Sequence, residues 1–253
     1  MSTPEALCWQ DARMFYLPPE NWREPYLLQG QEAHHARRVL RLKTGEDVRL
    51  LDGQGREGAF RIAAMTKQEV RLEPLRVWEY PRPESSAILA AGWTKAARRG
   101  WILEKAVEFE AAGIWLWQAE RSQFPVPADI KESWQGQLIA GAKQCRNPWL
   151  PELRTLPGGV QDVIAAASGC AQRLALLESD HRPSLPLGPE LLACPGQTIY
   201  VVGPEGGFSP GEVEALHKAG FAGVTLGDRV LRWETAALLC LGLHWWHKGL
   251  PAQ

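Results

Sequence analysis

Two glycine-rich segments near the carboxyl end of the chain carry the residue types best suited to holding a ligand. The first is Gly203–Gly207, and the second, Leu226–Thr235, begins about twenty residues further along. Glycines let the backbone approach a ligand closely, Pro204 stiffens the turn, and Glu205 offers a carboxylate. Because each segment ends an apolar, strand-like run, we expect both to meet at one edge of a parallel sheet and to surround one crevice.

The first segment matches neither of the common phosphate-binding signatures. It lacks the Gly-Lys-Ser/Thr ending of a nucleoside-triphosphate loop and the G-x-G-x-x-G spacing of a dinucleotide fold. A cofactor without phosphates therefore fits better. No Ser-His-Asp arrangement or paired carboxylates support hydrolase chemistry. The five cysteines have no C-x-x-C spacing, so we assign neither a disulfide framework nor a metal.

Composition indicates a soluble globular protein that is long enough for two domains. The chain has 253 residues, of which 45% are hydrophobic and 23% charged. A net charge of -1 gives no overall attraction to nucleic acid, so any contact with RNA must depend on local clusters. The start of the chain does not resemble a signal peptide, and no apolar run reaches the ~20 residues of a membrane span. We predict a cytoplasmic protein.

The polar, proline-rich segment Tyr80–Ser86 is the best linker candidate, so we place a domain boundary between residues 1–80 and 81–253. After it, strand-like runs alternate with helical patterns, which predicts an α/β domain with a mostly parallel sheet covered on both faces. The helix after the first glycine segment has a capping box, with Ser209 at the N-cap and Glu212 three residues later.

The final predicted helix, Thr235–His247, is apolar nearly all round. Such a helix requires burial on several sides. Either it lies deep in the domain or it packs against a second subunit.

Before the linker, short alternating runs predict a small β-barrel. Its strands are Asp47–Leu51, Gly58–Ile62 and Glu69–Leu75, and an Asp52-Gly53 turn joins the first two. The basic segment Glu32–Lys43 reads as a short helix running into a strand. It is either an RNA-phosphate contact or a solvated helix face.

The two glycine segments together resemble a family signature. Gly-Pro-Glu-Gly-Gly-Phe-Ser-Pro-x-Glu from Gly203, followed by Leu-Gly-x-Arg-Val-Leu-Arg-x-Glu-Thr-Ala from Leu226, is similar to bacterial small-subunit ribosomal RNA uridine-N3 methyltransferases of the SPOUT superfamily. The segment from His34 to Arg41 resembles the PUA-like N-terminal domain of that family. The resemblance spans nearly the whole chain. It implies a deep trefoil knot in the C-terminal domain, S-adenosylmethionine bound by the knot loops, and an active site at a homodimer interface.

The resemblance also implies two sets of binding residues. The cofactor-binding set comes from three segments and comprises Leu176, Leu177, Glu178, Val202, Gly203, Pro204, Glu205, Gly206, Gly207, Leu226, Gly227, Val230, Leu231, Thr235 and Ala236. The RNA-binding set consists of basic side chains, namely His34, Arg37, Arg38, Arg41, Lys95, Arg121 and Arg146.

Uridine N3 carries a proton that must leave before or during methyl transfer, so the reaction requires a base or an anion-stabilising donor. Arg232 is our candidate for stabilising negative charge on the uracil oxygens. Glu234 or Glu205 accepts the proton or holds Arg232, and the sequence does not separate these roles.

Several residues depart from the family pattern near the expected RNA-facing side. Lys143 stands where an acid is usual, Arg146 follows Cys145 without a spacer, and Trp233 replaces a small polar residue. We expect Trp233 to add a stacking surface to the target pocket. The departures leave two alternatives open, a non-catalytic RNA-binding protein on the same scaffold and a methyltransferase for a different base.

Overall fold

The computed structural model describes residues 12–94, 99–177 and 184–250, and their contacts group them into two compact units. The first unit contains the described residues up to Arg82 together with Ala142–Leu150. The second contains Pro83–Gly141 and the described residues from Pro151 onward. The stretch Ala142–Leu150, which lies within the second domain predicted from the sequence, thus groups with the N-terminal unit.

The first unit is built on a five-stranded mixed sheet. Its strands are β1 (Arg13–Tyr16), β2 (Tyr26–Gln29), β3 (Asp47–Leu51), β4 (Arg56–Met65) and β5 (Glu69–Glu79), in the order β1-β3-β4-β5-β2. Strand β1 pairs with β3 in parallel, and the other neighbours are antiparallel. The three strands predicted from alternation are confirmed. The basic segment forms helix α1 (Gly30–His34) and a π-helical turn, His35–Val39.

The turn between β3 and β4 forms as predicted, because one aspartate satisfies its backbone donors. Oδ1 of Asp52 accepts hydrogen bonds from the N–H groups of Gln54 at 2.7 Å and Arg56 at 2.9 Å. Gly53 has φ +78° and Gly55 has φ +94°, a conformation that favours glycine.

The second unit contains a seven-stranded sheet in which every hydrogen-bonded pair is parallel. The strands are β6 (Ser86–Gly92), β7 (Gly113–Trp117), β8 (Glu152–Leu156), β9 (Gln172–Leu176), β10 (Leu185–Pro186), β11 (Gln197–Val202) and β12 (Ala222–Thr225), in the order β10-β12-β9-β11-β6-β7-β8. The carboxyl ends of all these strands therefore lie at the same edge. This confirms the mostly parallel sheet predicted from the alternating pattern.

Helices pack on the sheet, whose successive strand residues point to opposite faces. The helices are α2 (Arg99–Glu108), α3 (Glu132–Cys145), α4 (Val160–Ala166), α5 (Pro189–Leu192), α6 (Pro210–Lys218) and α7 (Trp233–Lys248). Helix α4 contacts α6, while α7 contacts α2, α5 and the central strands β6 and β11. Ile199 and Val201 of β11 belong to the buried cluster that includes Val213 and Leu216 of α6.

The start of α6 is fixed by the predicted capping box. Oγ of Ser209 accepts a hydrogen bond from the N–H of Glu212 at 3.2 Å, and Oε2 of Glu212 accepts one from the N–H of Ser209 at 2.8 Å. Pro210 occupies the first turn, where its missing N–H costs nothing. The capping box therefore sets the direction in which the chain leaves the first glycine segment.

Helix α7 is buried along one side and exposed along another. Ala237, Cys240 and Leu241 are fully buried against the domain. On the opposite side Leu239 is 39% exposed and Trp246 is 57% exposed. The helix thus packs into its own domain and leaves an apolar stripe uncovered, while its packing against a second subunit stays a prediction. No helix among the described residues is long and apolar enough to span a membrane.

Candidate functional site

A cavity of about 380 Å³ opens at the carboxyl ends of β9, β11 and β12, where both glycine segments meet. The residues that line it come from the ends of β9, β11 and β12, from the two glycine segments with the adjoining Phe208, and from the first turn of α7. They are Leu176, Leu177, Val202, Gly203, Pro204, Glu205, Gly207, Phe208, Val224, Thr225, Leu226, Gly227, Asp228, Arg229, Val230, Leu231, Arg232, Trp233, Glu234 and Ala236.

The first glycine segment is folded tightly on itself. The N–H of Gly207 donates to the carbonyl of Pro204 at 2.8 Å, and Gly207 has φ +69°. A Cβ added to Gly203 would lie 3.1 Å from the carbonyl carbon of Gly207, and one added to Gly92 would lie 2.5 Å from the nitrogen of Pro204. The absence of side chains at these positions lets three pieces of backbone pack beside the cavity.

The second segment turns sharply and then runs exposed to the start of α7. The N–H of Gly227, which has φ +114°, lies 3.3 Å from Oγ1 of Thr225, and that hydroxyl donates to the carbonyl of Gly227 at 3.0 Å. Asp228 to Val230 are exposed, with Val230 81% exposed. Arg232 is the N-cap residue of α7, and its carbonyl accepts from the N–H of Ala236 at 2.9 Å.

Charged side chains of both signs line the cavity. Three carboxylates, those of Glu205, Asp228 and Glu234, share the wall with the guanidinium groups of Arg229 and Arg232. The acids can attract a cationic ligand, and the arginines can hold or stabilise an anion. In the part of the chain that the structure describes, no group of three or more His, Cys, Asp and Glu side chains is arranged to hold a metal ion.

The structure brings most of the sequence-predicted cofactor residues to this cavity. Those that line it are Leu176, Leu177, Val202, Gly203, Pro204, Glu205, Gly207, Leu226, Gly227, Val230, Leu231 and Ala236, together with the candidate catalytic residues Arg232 and Glu234. Gly206 and Thr235 are not among the lining residues, and Glu178 lies outside the described residues. Sequence reasoning did not select Phe208, Val224, Thr225, Asp228 and Arg229, which lie beside or within the motifs.

Gly206 faces away from the cavity, which differs from the sequence-based expectation. Its carbonyl accepts a hydrogen bond from Nη1 of Arg121 at 2.9 Å. A Cβ at this position would lie 3.1 Å from Cβ of Arg121. The space that the glycine leaves is therefore used by an arginine on the outside of the loop. Arg121, which the sequence predicted only as an RNA contact, therefore binds the backbone of the first glycine segment.

Trp233 does not provide the open stacking surface that the sequence suggested. It lines the cavity, yet only 6% of the residue is exposed. Its indole N–H is buried and has no hydrogen-bond partner among the described residues. Packing at the base of α7, rather than exposure to a target base, accounts for most of its surface.

The predicted RNA-binding residues of the first unit are divided by exposure. His34, Arg38 and Arg41 are exposed. Arg37 is partly buried and donates to the carbonyl of Thr66 at 3.2 Å. The predicted Lys95 lies outside the described residues. Three of the predicted residues, His34, Arg38 and Arg41, therefore expose basic side chains to solvent.

Lys143 and Arg146 both have acidic neighbours within the first unit. Nζ of Lys143 lies 2.6 Å from Oε1 of Glu32 in α1. Arg146 has φ +60°, and its charge acts on the Glu57 carboxyl. Burial raises the pKa of that carboxyl, and the neighbouring Arg49 is the main opposing influence. Lys143 thus has a structural partner in this chain, and Arg146 contributes positive charge near Glu57.

Comparisons with known proteins identify the family of the chain. Residues 81–245 match a family model described as an RNA methyltransferase domain, and residues 28–75 match an RNA methyltransferase PUA domain. The chain is 30% identical over 224 residues to ribosomal RNA small subunit methyltransferase E of Mycobacterium tuberculosis, covering 85% of this chain and 84% of that protein.

Two solved structures are similar over almost their whole length. A ribosomal RNA small subunit methyltransferase E from Neisseria gonorrhoeae bound to S-adenosyl methionine has a TM-score of 0.76 and 26% identity, with 92% of this chain and 96% of that chain covered. A putative methyltransferase from Legionella pneumophila, in complex with the bound cofactor SAM, has a TM-score of 0.78, 27% identity and the same coverage of 92% and 96%. The chain therefore belongs to the ribosomal RNA small subunit methyltransferase E family, with an RNA methyltransferase domain preceded by a PUA domain.

Proposed function

We propose that this protein transfers a methyl group from S-adenosylmethionine to N3 of a uridine in small-subunit ribosomal RNA. The observation that carries the proposal is the convergence of both glycine segments, Arg232 and two candidate proton acceptors on one cavity. Membership of the family supports the substrate class. The uridine N3 target is supported by the motif resemblance described above.

The residues of the cavity fit S-adenosylmethionine. Apolar side chains such as Leu176, Val202 and Leu226 suit an adenine ring, and the glycine backbone allows close approach. The acidic side chains suit a ligand that carries a sulfonium and an ammonium group. When bound, this cofactor supplies an electrophilic methyl group on a positively charged sulfur.

The charged side chains then have distinct tasks. The Arg232 guanidinium stabilises negative charge on a uracil carbonyl oxygen as N3 loses its proton. Glu234 or Glu205 accepts that proton or orients Arg232. The carboxylates of Glu205, Asp228 and Glu234 line the same cavity and provide negative charge opposite the positive charge of the cofactor.

The exposed basic side chains of the first unit are proposed to contact RNA phosphates. His34, Arg38 and Arg41 are exposed around a short helical segment, and such groups provide sequence-independent affinity that falls as salt rises. We place Arg37 in a supporting role, since its guanidinium already binds the carbonyl of Thr66.

The active protein is proposed to be a cytoplasmic homodimer. The uncovered apolar stripe on α7, which includes Leu239 and Trp246, supports pairing through the C-terminal unit. A deep trefoil knot in that unit, implied by the resemblance, stays a prediction.

Two measurements test the proposed function. Calorimetry should show that S-adenosylmethionine binds to the full chain. If no binding is detected at millimolar cofactor, the protein methylates neither uridine N3 nor a different base. Modified nucleotides in small-subunit ribosomal RNA should then be mapped in a strain that lacks the gene, with and without a plasmid copy. The proposal expects one uridine N3 methylation to disappear and return, and persistence of every such methylation in the deletion strain would contradict it.

A further inference from the structure

Residues at the end of β7 and just after it contact the first glycine segment from outside the cavity. We propose that Arg121 and Glu212 are positioning residues that hold this glycine segment in its cofactor-binding conformation without touching the ligand. The inference rests on the proposed function, because it takes the cavity to be the S-adenosylmethionine site.

Glu212 provides the first attachment. The residue is 1% exposed, and its two carboxylate oxygens serve different parts of the chain. Oε2 accepts from the N–H of Ser209 at 2.8 Å, at the exit of the glycine segment. Oε1 accepts from the N–H of Glu120 at 2.8 Å, in the segment that follows β7. Without this carboxylate both backbone donors lose their acceptor, which is costly at a buried position.

Arg121 provides the second attachment, in the middle of the glycine segment. Its Nη1 donates to the carbonyl of Gly206 at 2.9 Å, and its side chain fills the space beside the glycine. Glu205 and Gly206 are both exposed, so this charge-assisted bond reaches the least enclosed part of the segment. The neighbouring Glu205 and Gly207 lie on the cavity wall.

Trp117, at the end of β7, provides a third attachment, at the start of the glycine segment. Its indole N–H donates to the carbonyl of Val202 at 3.2 Å, and its ring stacks on Phe208 with centroids 5.9 Å apart. The segment is therefore held at its start, middle and end. Trp117, Glu120 and Arg121 are not among the described residues that line the cavity, so the contacts act through the loop.

A held loop matters because glycine backbone is costly to order. Three of the five residues in Gly203–Gly207 are glycines, which lose more conformational freedom than other residues when they become fixed. If the loop is already ordered, ligand binding does not bear that cost. Loss of the external contacts should consequently weaken cofactor binding more than it weakens the fold.

The test compares Arg121→Met, which keeps the aliphatic stem and loses the guanidinium, with a matched control. Arg173→Met removes the same type of bond, since Nη1 of Arg173 donates to the carbonyl of Ala219 at 3.1 Å at the other end of α6. Calorimetry on the full chain without RNA should show the Kd for S-adenosylmethionine raised about tenfold by Arg121→Met and little changed by Arg173→Met. Arg121→Lys, which keeps a donor, should lie between wild type and Arg121→Met.

Two further readouts separate positioning from other roles. In the unliganded protein, amide hydrogen exchange at Gly206 and Gly207 should become faster in Arg121→Met while the melting temperature stays near that of wild type. In assays, KM for the cofactor should rise while kcat at saturating cofactor changes much less. Glu212→Gln, which replaces one acceptor by a donor, should accelerate exchange in the same segment and also at Glu120.

A failure of the proposed function and a failure of the role inferred for Arg121 give different results. If wild type does not bind S-adenosylmethionine, the proposed function fails, and the exchange measurement still decides whether Arg121 holds the loop. An unchanged cofactor Kd and unchanged exchange in Arg121→Met, accompanied by weaker binding of ribosomal RNA, would overturn the inference and make Arg121 an RNA contact. Equal weakening by Arg173→Met would also overturn it.

Discussion

At the scale of single residues, the cavity sets guanidinium groups and carboxylates around a wall made largely of backbone. Arg232 is exposed and lies at the start of a helix, so its backbone is fixed while its side chain faces solvent. Arg229 lies three residues earlier in the same wall. The two arginines provide an internal comparison, because their chemistry is equal and only their positions differ.

We expect Arg232→Ala to keep the S-adenosylmethionine Kd within a few fold and to lower kcat on the order of 10²-fold, as for removal of an anion-stabilising donor. Methyl incorporation into ribosomal RNA under single-turnover conditions measures the effect. Arg229→Ala, which removes the other guanidinium of the cavity wall, is the comparison, and its loss of kcat should be clearly smaller than that of Arg232→Ala. Full activity in Arg232→Ala would remove Arg232 from the mechanism.

The sequence predicted those features of the cavity that depend on residues close together in the chain. The glycine turns and the Ser209–Glu212 capping box depend on residues a few positions apart, and both formed as predicted. The outward orientation of Gly206 depends on Arg121, which is 85 positions away in the chain, and no local pattern contains that information. The burial of Trp233 likewise depends on how α7 packs, so its type alone suggested the wrong surroundings.

At the scale of elements, buried polar groups attach α7 to the sheet. His244 is 3% exposed; its Nδ1 lies 3.1 Å from the Tyr200 hydroxyl, and its Nε2 lies 3.3 Å from the Ser85 hydroxyl. Burial lowers the pKa of His244 to about 4, and the nearby Lys248 and His247 act in the same direction. The folded protein therefore holds this imidazole neutral.

This histidine makes stability depend on pH. Because its pKa is lower in the folded chain than the ordinary 6.5, the unfolded chain binds the proton more readily. The contribution is complete above pH 6.5 and is lost as the pH falls toward 4, roughly 3 kcal/mol in the free energy of unfolding. Urea unfolding across this range, with His244→Gln as the comparison, measures it. Equal pH dependence in both proteins would contradict the assignment.

The end of α3 is tied to α1 by the pair of Lys143 and Glu32. Both side chains are partly buried, and the second carboxylate oxygen of Glu32 is buried without a hydrogen-bond partner among the described residues. Removing Lys143 would therefore leave a carboxylate with little compensation.

We expect Lys143→Glu to lower the free energy of unfolding by about 2 kcal/mol, because two carboxylates would then face each other. Chemical denaturation gives the value. Exchange of the two charges in Lys143→Glu with Glu32→Lys should restore most of the loss. If the double variant is as unstable as the single one, the pair does not account for the effect.

Elements that the sequence did not predict are short and lack strong periodicity. Strand β2 has four residues bounded by Pro25 and Gly30, and β10 has only two residues. Such segments become strands because a neighbour supplies hydrogen bonds, as β5 does for β2. The long alternating runs could be predicted as strands from their own sequence pattern.

At the scale of the whole molecule, the uncovered stripe on α7 predicts association. Leu239→Glu combined with Trp246→Glu places charges on that stripe and should convert a dimer to a monomer, since burying unpaired charges opposes an apolar contact. Sedimentation equilibrium measures the mass. Val77→Glu, at a 41% exposed apolar position in the first unit, is the control and should leave the mass unchanged. A double variant that stays dimeric would place the interface elsewhere.

The strand order has a consequence for the chain during its synthesis. Strands β6, β7 and β8 are neighbours in the sheet and emerge in succession, so they can pair as soon as they leave the ribosome. Among the described strands, β9 pairs with β11 and β12 alone, both of which are translated later. The nascent protein must therefore hold β9, which carries Leu176 of the cavity wall, without a strand partner until β11 enters beside β6. Translation pauses before Gln197 would lengthen the exposure of this apolar strand and favour aggregation of the unfinished chain.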